Sequence, residues 1–233
     1  MSKSRPDDGL SIVSRIKCGR VEEVTDMLIT EMPSPEAIQL QEDRDGDALF
    51  WSACRGYTLI AELLLMLGAN VNNKSLASGS TPLHAAADNG RDDIIDILLK
   101  WGSDIFARNY FQDTACHMAA YRGHGKCVAL LLRAGTDVDL RNSRRNTVLD
   151  EAKYGEILHN EGQHAVIKHL LYSYQNSHAG YDGQLSSPEH ATRQSDYKHR
   201  LRSIDLTRKN KLHDDTRLGA EQSADQIQNS NPA

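Results

Sequence analysis

Apolar residues recur along the middle of this chain in clusters that lie about 33 residues apart. One cluster ends on Leu98 and Leu99, and the next ends on Leu131 and Leu132. The spacing within the first cluster indicates an amphipathic helix near residues 92–101, with a broad apolar band that one helix pair cannot bury by itself. A run of small residues that closes on a glycine precedes each cluster and predicts a shorter first helix. The pattern therefore predicts helix-turn-helix units that stack on their neighbours.

The two best copies of this unit are residues 80–107 and 113–140. Four positions of the first copy match four of the second in order: Thr81, His84, Gly90 and Gly102 correspond to Thr114, His117, Gly123 and Gly135. A weaker copy precedes them and a degenerate one follows. Residues 11–28 have the pattern of a first unit that lacks its hairpin.

The TPLH sequence at Thr81–His84, with its downstream leucines and glycine, resembles the ankyrin repeat. This resemblance implies an all-α solenoid of about four to five helix-turn-helix repeats with hairpin-like fingers. We expect an ankyrin-repeat domain over residues 8–172, with approximate repeats at 8–42, 43–76, 77–109, 110–142 and 143–172. In the last unit, Tyr154–Asn160 is interpreted as an inserted or prolonged first helix, and residues 162–171 as the final helix of the stack.

Residues 173–233 are poor in aliphatic side chains, so we expect a disordered polar tail. Within this tail, residues 197–211 are basic and place Tyr197, Leu201 and Ile204 on one side of a possible helix. The segment is interpreted either as a solvated part of the tail or as a motif for nuclear import or for docking to an acidic partner.

Composition narrows the classes of function. The 233 residues carry a formal net charge of −5, with a pI of about 6.0, which argues against direct nucleic-acid binding. No apolar stretch approaches the ~20 residues that cross a bilayer, so no membrane insertion is expected. Four cysteines without CxxC spacing fit a reducing compartment. We expect a monomer in the cytoplasm, and a mass of 25.9 kDa would also allow entry into the nucleus.

Candidate chemistry is weak, and no catalytic residue, cofactor site or metal site is predicted. The family resemblance implies that His84 and His117 are structural and hydrogen-bond between repeats. The residues Gly123–Lys126 look like a fragment of a phosphate loop, but they lack its first glycine and final hydroxyl. The cysteines and neighbouring histidines do not offer four ligands at zinc-site spacings. The chain is therefore not expected to be an enzyme.

The resemblance places a protein partner in the concave groove, against the fingers and the exposed ends of the first helices. Tyr110 and Phe111 are adjacent aromatic residues at a predicted finger tip, and arginines crowd the C-terminal half of the groove. This composition is typical of binding hot spots and favours a partner with an acidic or phosphorylated surface. The alternative is that one aromatic ring packs on the next finger and that the arginines are merely solvated. The candidate protein-binding residues are Arg55, Asp88, Asn89, Arg108, Tyr110, Phe111, Tyr121, Arg122, Arg141, Arg144 and Arg145, with Tyr154 at the equivalent place in the last unit.

Two functions fit these observations. The first is a non-catalytic ankyrin-repeat adaptor that binds another protein through its groove and finger tips. The second is a regulatory subunit or inhibitor of an enzyme that docks through the basic tail. An enzyme with unrecognised chemistry is a third and weaker hypothesis, because no acid, base and nucleophile cluster in the sequence.

Overall fold

Short helices follow one another in pairs along the chain. A computed structural model describes residues 11–31, 33, 45–158 and 163–178. The helices in those ranges are α1 (Ile12–Lys17), α2 (Val21–Thr30), α3 (Ala48–Arg55), α4 (Thr58–Met66), α5 (Pro82–Asp88), α6 (Asp92–Lys100), α7 (Ala115–Arg122), α8 (Gly125–Arg133), α9 (Val148–Leu158) and α10 (His164–His178). The described residues form no β-strand, which confirms the predicted all-α class.

The helices form two layers. The first helix of each pair lies in an inner row, α1, α3, α5, α7 and α9, in which each helix packs on the next. The second helices form an outer row, α2, α4, α6, α8 and α10, which is built in the same way. Each pair therefore buries its apolar faces mainly against its own partner helix and the neighbouring pairs, as the repeat predicts.

Small side chains line the contacts between inner helices. Ala86, Ala119 and Ala152 are fully buried, and their size allows the inner helices to approach closely. In the outer row, Leu98 and Leu131 are also fully buried, so the register predicted for the core is confirmed.

A threonine and a histidine open the first helix of each central repeat. The Thr81 N–H donates to Nδ1 of His84 across 3.2 Å, and Nε2 of His84 then donates to the Asp113 carbonyl of the next repeat at 2.9 Å. His117 repeats the arrangement with the Leu140 carbonyl at 3.0 Å. Burial lowers the pKa of His84 to about 4, so the ring is neutral at pH 7. The predicted structural role of these histidines is confirmed.

Glycines end the inner helices as predicted. Gly123 follows α7 with a φ of 81°, a left-handed conformation that glycine adopts without strain. Gly125 then begins α8 and is buried. The residues that look like part of a phosphate loop are therefore an ordinary turn between two helices.

The two ends of the stack differ in how well the sequence predicted them. Ser11 caps α1 by accepting a hydrogen bond from the Ser14 N–H at 3.1 Å, and α1 and α2 form the expected first pair. In the last unit the prolonged first helix is confirmed as far as Leu158. The final helix needs a correction, because it continues to His178 rather than ending near Leu171.

The longer final helix has a physical explanation. No glycine or proline occurs between Leu171 and His178 to stop it, and Gln175 donates a hydrogen bond to the Asp139 carboxylate at 3.2 Å. Residues 173–178, which the sequence assigned to the polar tail, are thus helical. The rest of that tail, including the basic segment 197–211, lies outside the described residues.

Candidate protein-binding groove

Three fingers project between the helix pairs, at residues 74–80, 109–113 and 141–146, and main-chain hydrogen bonds join their tips. The Tyr110 N–H donates to the Ser78 carbonyl at 2.9 Å, which ties the second finger to the first. The Ser143 N–H donates to the Phe111 carbonyl at 2.9 Å, which ties the third finger to the second. The tips are therefore held in a fixed order along one edge.

An asparagine shapes the second finger from within. The Asn109 side-chain oxygen accepts hydrogen bonds from the N–H groups of Phe111 and Asp113, at 2.9 and 3.0 Å. The turn leaves Gln112 with a φ of 60°, which is costly for a residue with a Cβ. Asn142 builds the third finger in the same way. The fingers are thus defined turns rather than loose loops.

Tyr110 and Phe111 lie at the tip of the second finger, as predicted, and remain 63% and 65% exposed. The Tyr110 ring also lies over Gly79 of the first finger, so closely that a Cβ on that glycine would collide with it. The ring therefore packs on the neighbouring finger and still presents most of its surface to solvent. The predicted packing of one ring on the next finger is therefore observed for Tyr110, and the role of the pair in binding stays a prediction.

A row of aromatic and arginine side chains runs across the ends of the inner helices. The Tyr121 and Tyr154 rings stack with their centres 6.1 Å apart and their planes at 27°. The Arg122 guanidinium lies 5.7 Å from the Tyr121 ring centre, and the Arg144 guanidinium lies 5.7 Å from the Tyr154 ring centre. Both distances allow cation–π attraction, so the four side chains support one another.

Two of the predicted groove arginines have acidic partners inside the protein. Nε of Arg122 lies 2.7 Å from the Asp88 carboxylate, and this hydrogen bond raises the pKa of Arg122 above its usual range. Nη2 of Arg144 contacts both carboxylate oxygens of Glu151, at 2.9 and 3.0 Å, and the Glu151 side chain is only 1% exposed. These two arginines contribute less positive charge to the groove than the sequence suggested.

The other three arginines form no ion pair with an acidic side chain among the described residues. Arg108 donates to the Arg141 carbonyl at 3.1 Å, and Arg141 donates to the Arg145 carbonyl at 2.7 Å. Arg145 is exposed and has a left-handed backbone with a φ of 64°. Neutral carbonyls orient a guanidinium but do not cancel its charge, so positive charge collects around the second and third fingers.

Arg55 and Asn89 hydrogen-bond to main-chain carbonyls at the ends of their own helices or of the preceding one. Each is exposed at the C-terminal end of an inner helix, where Arg55 donates to the Lys17 carbonyl at 3.2 Å and Asn89 donates to the Ala85 carbonyl at 2.9 Å. Neither is joined by a hydrogen bond or ion pair to the aromatic rings described above. The other nine candidate residues take part in the finger and ring contacts described above, whereas Arg55 and Asn89 do not.

Glu151 and Gly155 are important residues that the sequence did not reveal. Besides its ion pair, Glu151 accepts hydrogen bonds from the side chains of Asn142 and Asn146 at 2.6 and 3.1 Å, which fixes the third finger to α9. At Gly155, α9 passes so near the Tyr121 carbonyl that a Cβ would have no room. A buried acid in an irregular repeat gives no periodic signal, and one glycine inside a helix is weak evidence by itself.

The described residues contain little that could carry other chemistry. All four cysteines are free, and burial raises the pKa of both Cys116 and Cys127 to about 12, so these two thiols are poor nucleophiles. In the same part of the chain, no three His, Cys, Asp or Glu side chains come together as metal ligands. No helix found there has the length and apolar character needed to cross a membrane.

Comparison with known families agrees with this architecture. A model of ankyrin repeats in three copies matches residues 13–109, and a model of a single ankyrin repeat matches residues 111–143. The chain therefore belongs to the ankyrin repeat family, whose repeats mediate protein–protein interaction.

One relative is similar to part of this chain. Protein fem-1 homolog C of Danio rerio is 42% identical over 57 residues. The match covers 24% of this chain and 9% of that relative. The similarity therefore covers only a small part of either protein.

Proposed function

We propose that this chain is a non-catalytic adaptor that binds another protein through its second and third fingers. The observation that carries the proposal is the adjacent pair Tyr110 and Phe111, which stays largely exposed although hydrogen bonds fix its backbone on both sides. Aromatic side chains on a rigid backbone lose little entropy on binding, which is why such residues are frequent hot spots.

The charge near this pair indicates the chemistry of the partner. Arg108 directly precedes the second finger, and Arg141 and Arg145 lie in the third finger; none of the three forms an ion pair with another described residue. A partner with acidic or phosphorylated residues would be attracted to them, while Tyr110 and Phe111 supply the apolar contact. The partner is thus expected to combine negative charge with an apolar anchor.

The test compares partners captured by the native chain with those captured by a Tyr110→Ala, Phe111→Ala, Arg145→Gln variant. A matched control, Leu59→Ala with Met66→Ala, removes two exposed apolar side chains from α4 in the outer row. All three proteins are first checked for equal helical content. A purified partner should bind the groove variant at least ~30-fold more weakly, which corresponds to the roughly 2 kcal/mol of a hot spot, and bind the control normally.

A partner retained at full affinity by the groove variant would overturn this proposal. The alternative function, a regulator of an enzyme that docks through its basic tail, makes the opposite prediction. In that case, deleting residues 179–233 would abolish binding to the enzyme. The groove variant would bind that enzyme with the affinity of the native chain.

A further inference from the structure

Ser143 at the tip of the third finger has basic residues on both sides. Arg141 lies two residues before it, and Arg144 and Arg145 follow it directly. All four residues are exposed. The other fingers lack this combination, because the second contains no serine or threonine and the first, which contains Ser75, Ser78 and Ser80, has Lys74 as its only basic residue.

The finger holds the Ser143 backbone and leaves its side chain outside. The Ser143 N–H is bonded to the Phe111 carbonyl, and the Asn142 side chain accepts from the N–H of Arg144 at 3.0 Å. The Ser143 hydroxyl makes no hydrogen bond to another described residue. The hydroxyl is therefore exposed on a structured turn, directly across from one of the two aromatic residues of the proposed binding site.

We propose that Ser143 is a phosphorylation site for a protein kinase that selects basic residues around its acceptor serine, and that phosphate at this position weakens partner binding. The kinase and magnesium-bound ATP are the co-reactants. The Ser143 hydroxyl oxygen forms the new bond to the γ-phosphorus, the bond from that phosphorus to ADP breaks, and the hydroxyl proton passes to the base of the kinase. Acidic pockets that bind arginines near the acceptor would recognise Arg141, Arg144 and Arg145.

The regulatory half of the proposal rests on the proposed function. A phosphoserine carries about −1.5 to −2 charges at pH 7, enough to cancel most of the charge of Arg141 and Arg145. It would also compete with Glu151 for Arg144, although Glu151 would keep its hydrogen bonds from Asn142 and Asn146. An acidic partner would then meet a neutral or negative finger instead of a positive one.

The modification is tested without any partner. The full chain carrying Ser203→Ala, a change that removes the serine of the basic sequence Arg200–Ser203, is incubated with a basophilic serine/threonine kinase and magnesium ATP. We expect a phosphate that fragmentation maps to Ser143 and that is absent from this site in the Ser143→Ala derivative. A synthetic peptide of residues 138–149 serves as the positive control. If the peptide is phosphorylated and the folded chain is not, the finger hides the serine and the proposal is wrong.

A second measurement asks whether the arginines bind the phosphate. In a phosphorus NMR titration, the second pKa of the phosphate should fall by half a unit or more below its ordinary value of about 6. Arg145→Gln should move that pKa back toward the ordinary value. A second pKa that is ordinary in both proteins would refute the electrostatic basis of the proposal.

Regulation is tested last, with the purified partner of the adaptor test. Phosphorylation should weaken its binding at least ~10-fold. If Ser143 is phosphorylated and binding stays unchanged, regulation is refuted while the groove proposal stands. If the serine resists the kinase, the modification is refuted whether or not the groove binds a partner.

Discussion

Acidification should destabilise this solenoid through the buried imidazole of His84. The ring is enclosed between two repeats, where Nδ1 accepts the Thr81 N–H and Nε2 donates to the Asp113 carbonyl. Protonation would place a charge in a buried site and turn the Nδ1 acceptor into a second donor facing an N–H group. The neutral ring is therefore strongly preferred in the folded state.

The size of the effect follows from the two pKa values. His84 has a pKa of about 4 in the folded protein, against an ordinary value of 6.5 in the unfolded chain. Because the unfolded state binds the proton first, this stabilising contribution is complete above pH 6.5 and is lost as the pH falls toward 4. The difference between the two pKa values contributes about 3 kcal/mol to the free energy of unfolding at neutral pH. About 2 kcal/mol of this contribution is lost by pH 5.

Two other groups act in or near this window. Burial also lowers the pKa of His117, so this residue adds to the loss in the same direction. Burial raises the pKa of Asp113, so protonation of that carboxyl favours the folded state as the pH falls and opposes the histidines at the acid end. The loss of stability should therefore be clearest between pH 6.5 and about 5.

Urea unfolding, followed by circular dichroism at pH 7, 6 and 5, measures this loss. Low protein concentration is needed, since the pI of about 6.0 falls within the range. His84→Gln should be less stable at pH 7 but should lose less stability on acidification than the native chain does. The matched control is His169→Gln, which changes an exposed histidine and should keep the native pH dependence. Equal pH dependence in the native chain and His84→Gln would refute the reasoning.

Three further substitutions test the packing and the fingers. Leu98→Ala should lower the free energy of unfolding in urea by roughly 2–5 kcal/mol, whereas Leu59→Ala, at an exposed position, should change it little. Equal effects of the two substitutions would mean that the assigned core register is wrong. Gly155→Ala should lower the free energy of unfolding by about 1–3 kcal/mol, because the new Cβ would collide with the main chain at the end of α7. Thermal melting measures this loss, and Lys153→Ala in the same helix should leave the melting temperature nearly unchanged. Gln112→Gly should raise the free energy of unfolding by about 1 kcal/mol, because glycine adopts the left-handed backbone conformation of this position without strain. Gln112→Ala loses the same side-chain contacts but keeps a Cβ, so it should not raise the free energy of unfolding.

The repeat made much of this structure predictable. Thr81 and His84 recur as Thr114 and His117, and each pair opens an inner helix in the same way. A residue that recurs at a fixed period occupies the same environment each time, so one correct interpretation applies to every copy. The same reasoning explains why turn glycines and core leucines were placed correctly.

Contacts that combine two repeats were harder to predict. Asp88 and Arg122 lie 34 residues apart, one more than the period, so they face each other from adjoining inner helices. Opposite charges at about the repeat period are therefore a sequence signal for an ion pair between neighbouring repeats. Glu151 offered no such signal, because its partners Asn142, Arg144 and Asn146 all lie within nine residues of it, at the start of the irregular last unit.

These contacts concentrate the positive charge of the groove at one end. The basic side chains at the bases of the fingers point toward the C-terminal neighbour, since Lys74 donates to the Arg108 carbonyl and Arg108 donates to the Arg141 carbonyl. Arg141 donates instead to Arg145 of its own finger. The charges of Arg141 and Arg145 thus collect on the third finger, which a hydrogen bond joins to Phe111. A partner that needs both negative charge and an apolar anchor would find them within these two fingers, so a short acidic segment could occupy the site without contacting the first two repeats.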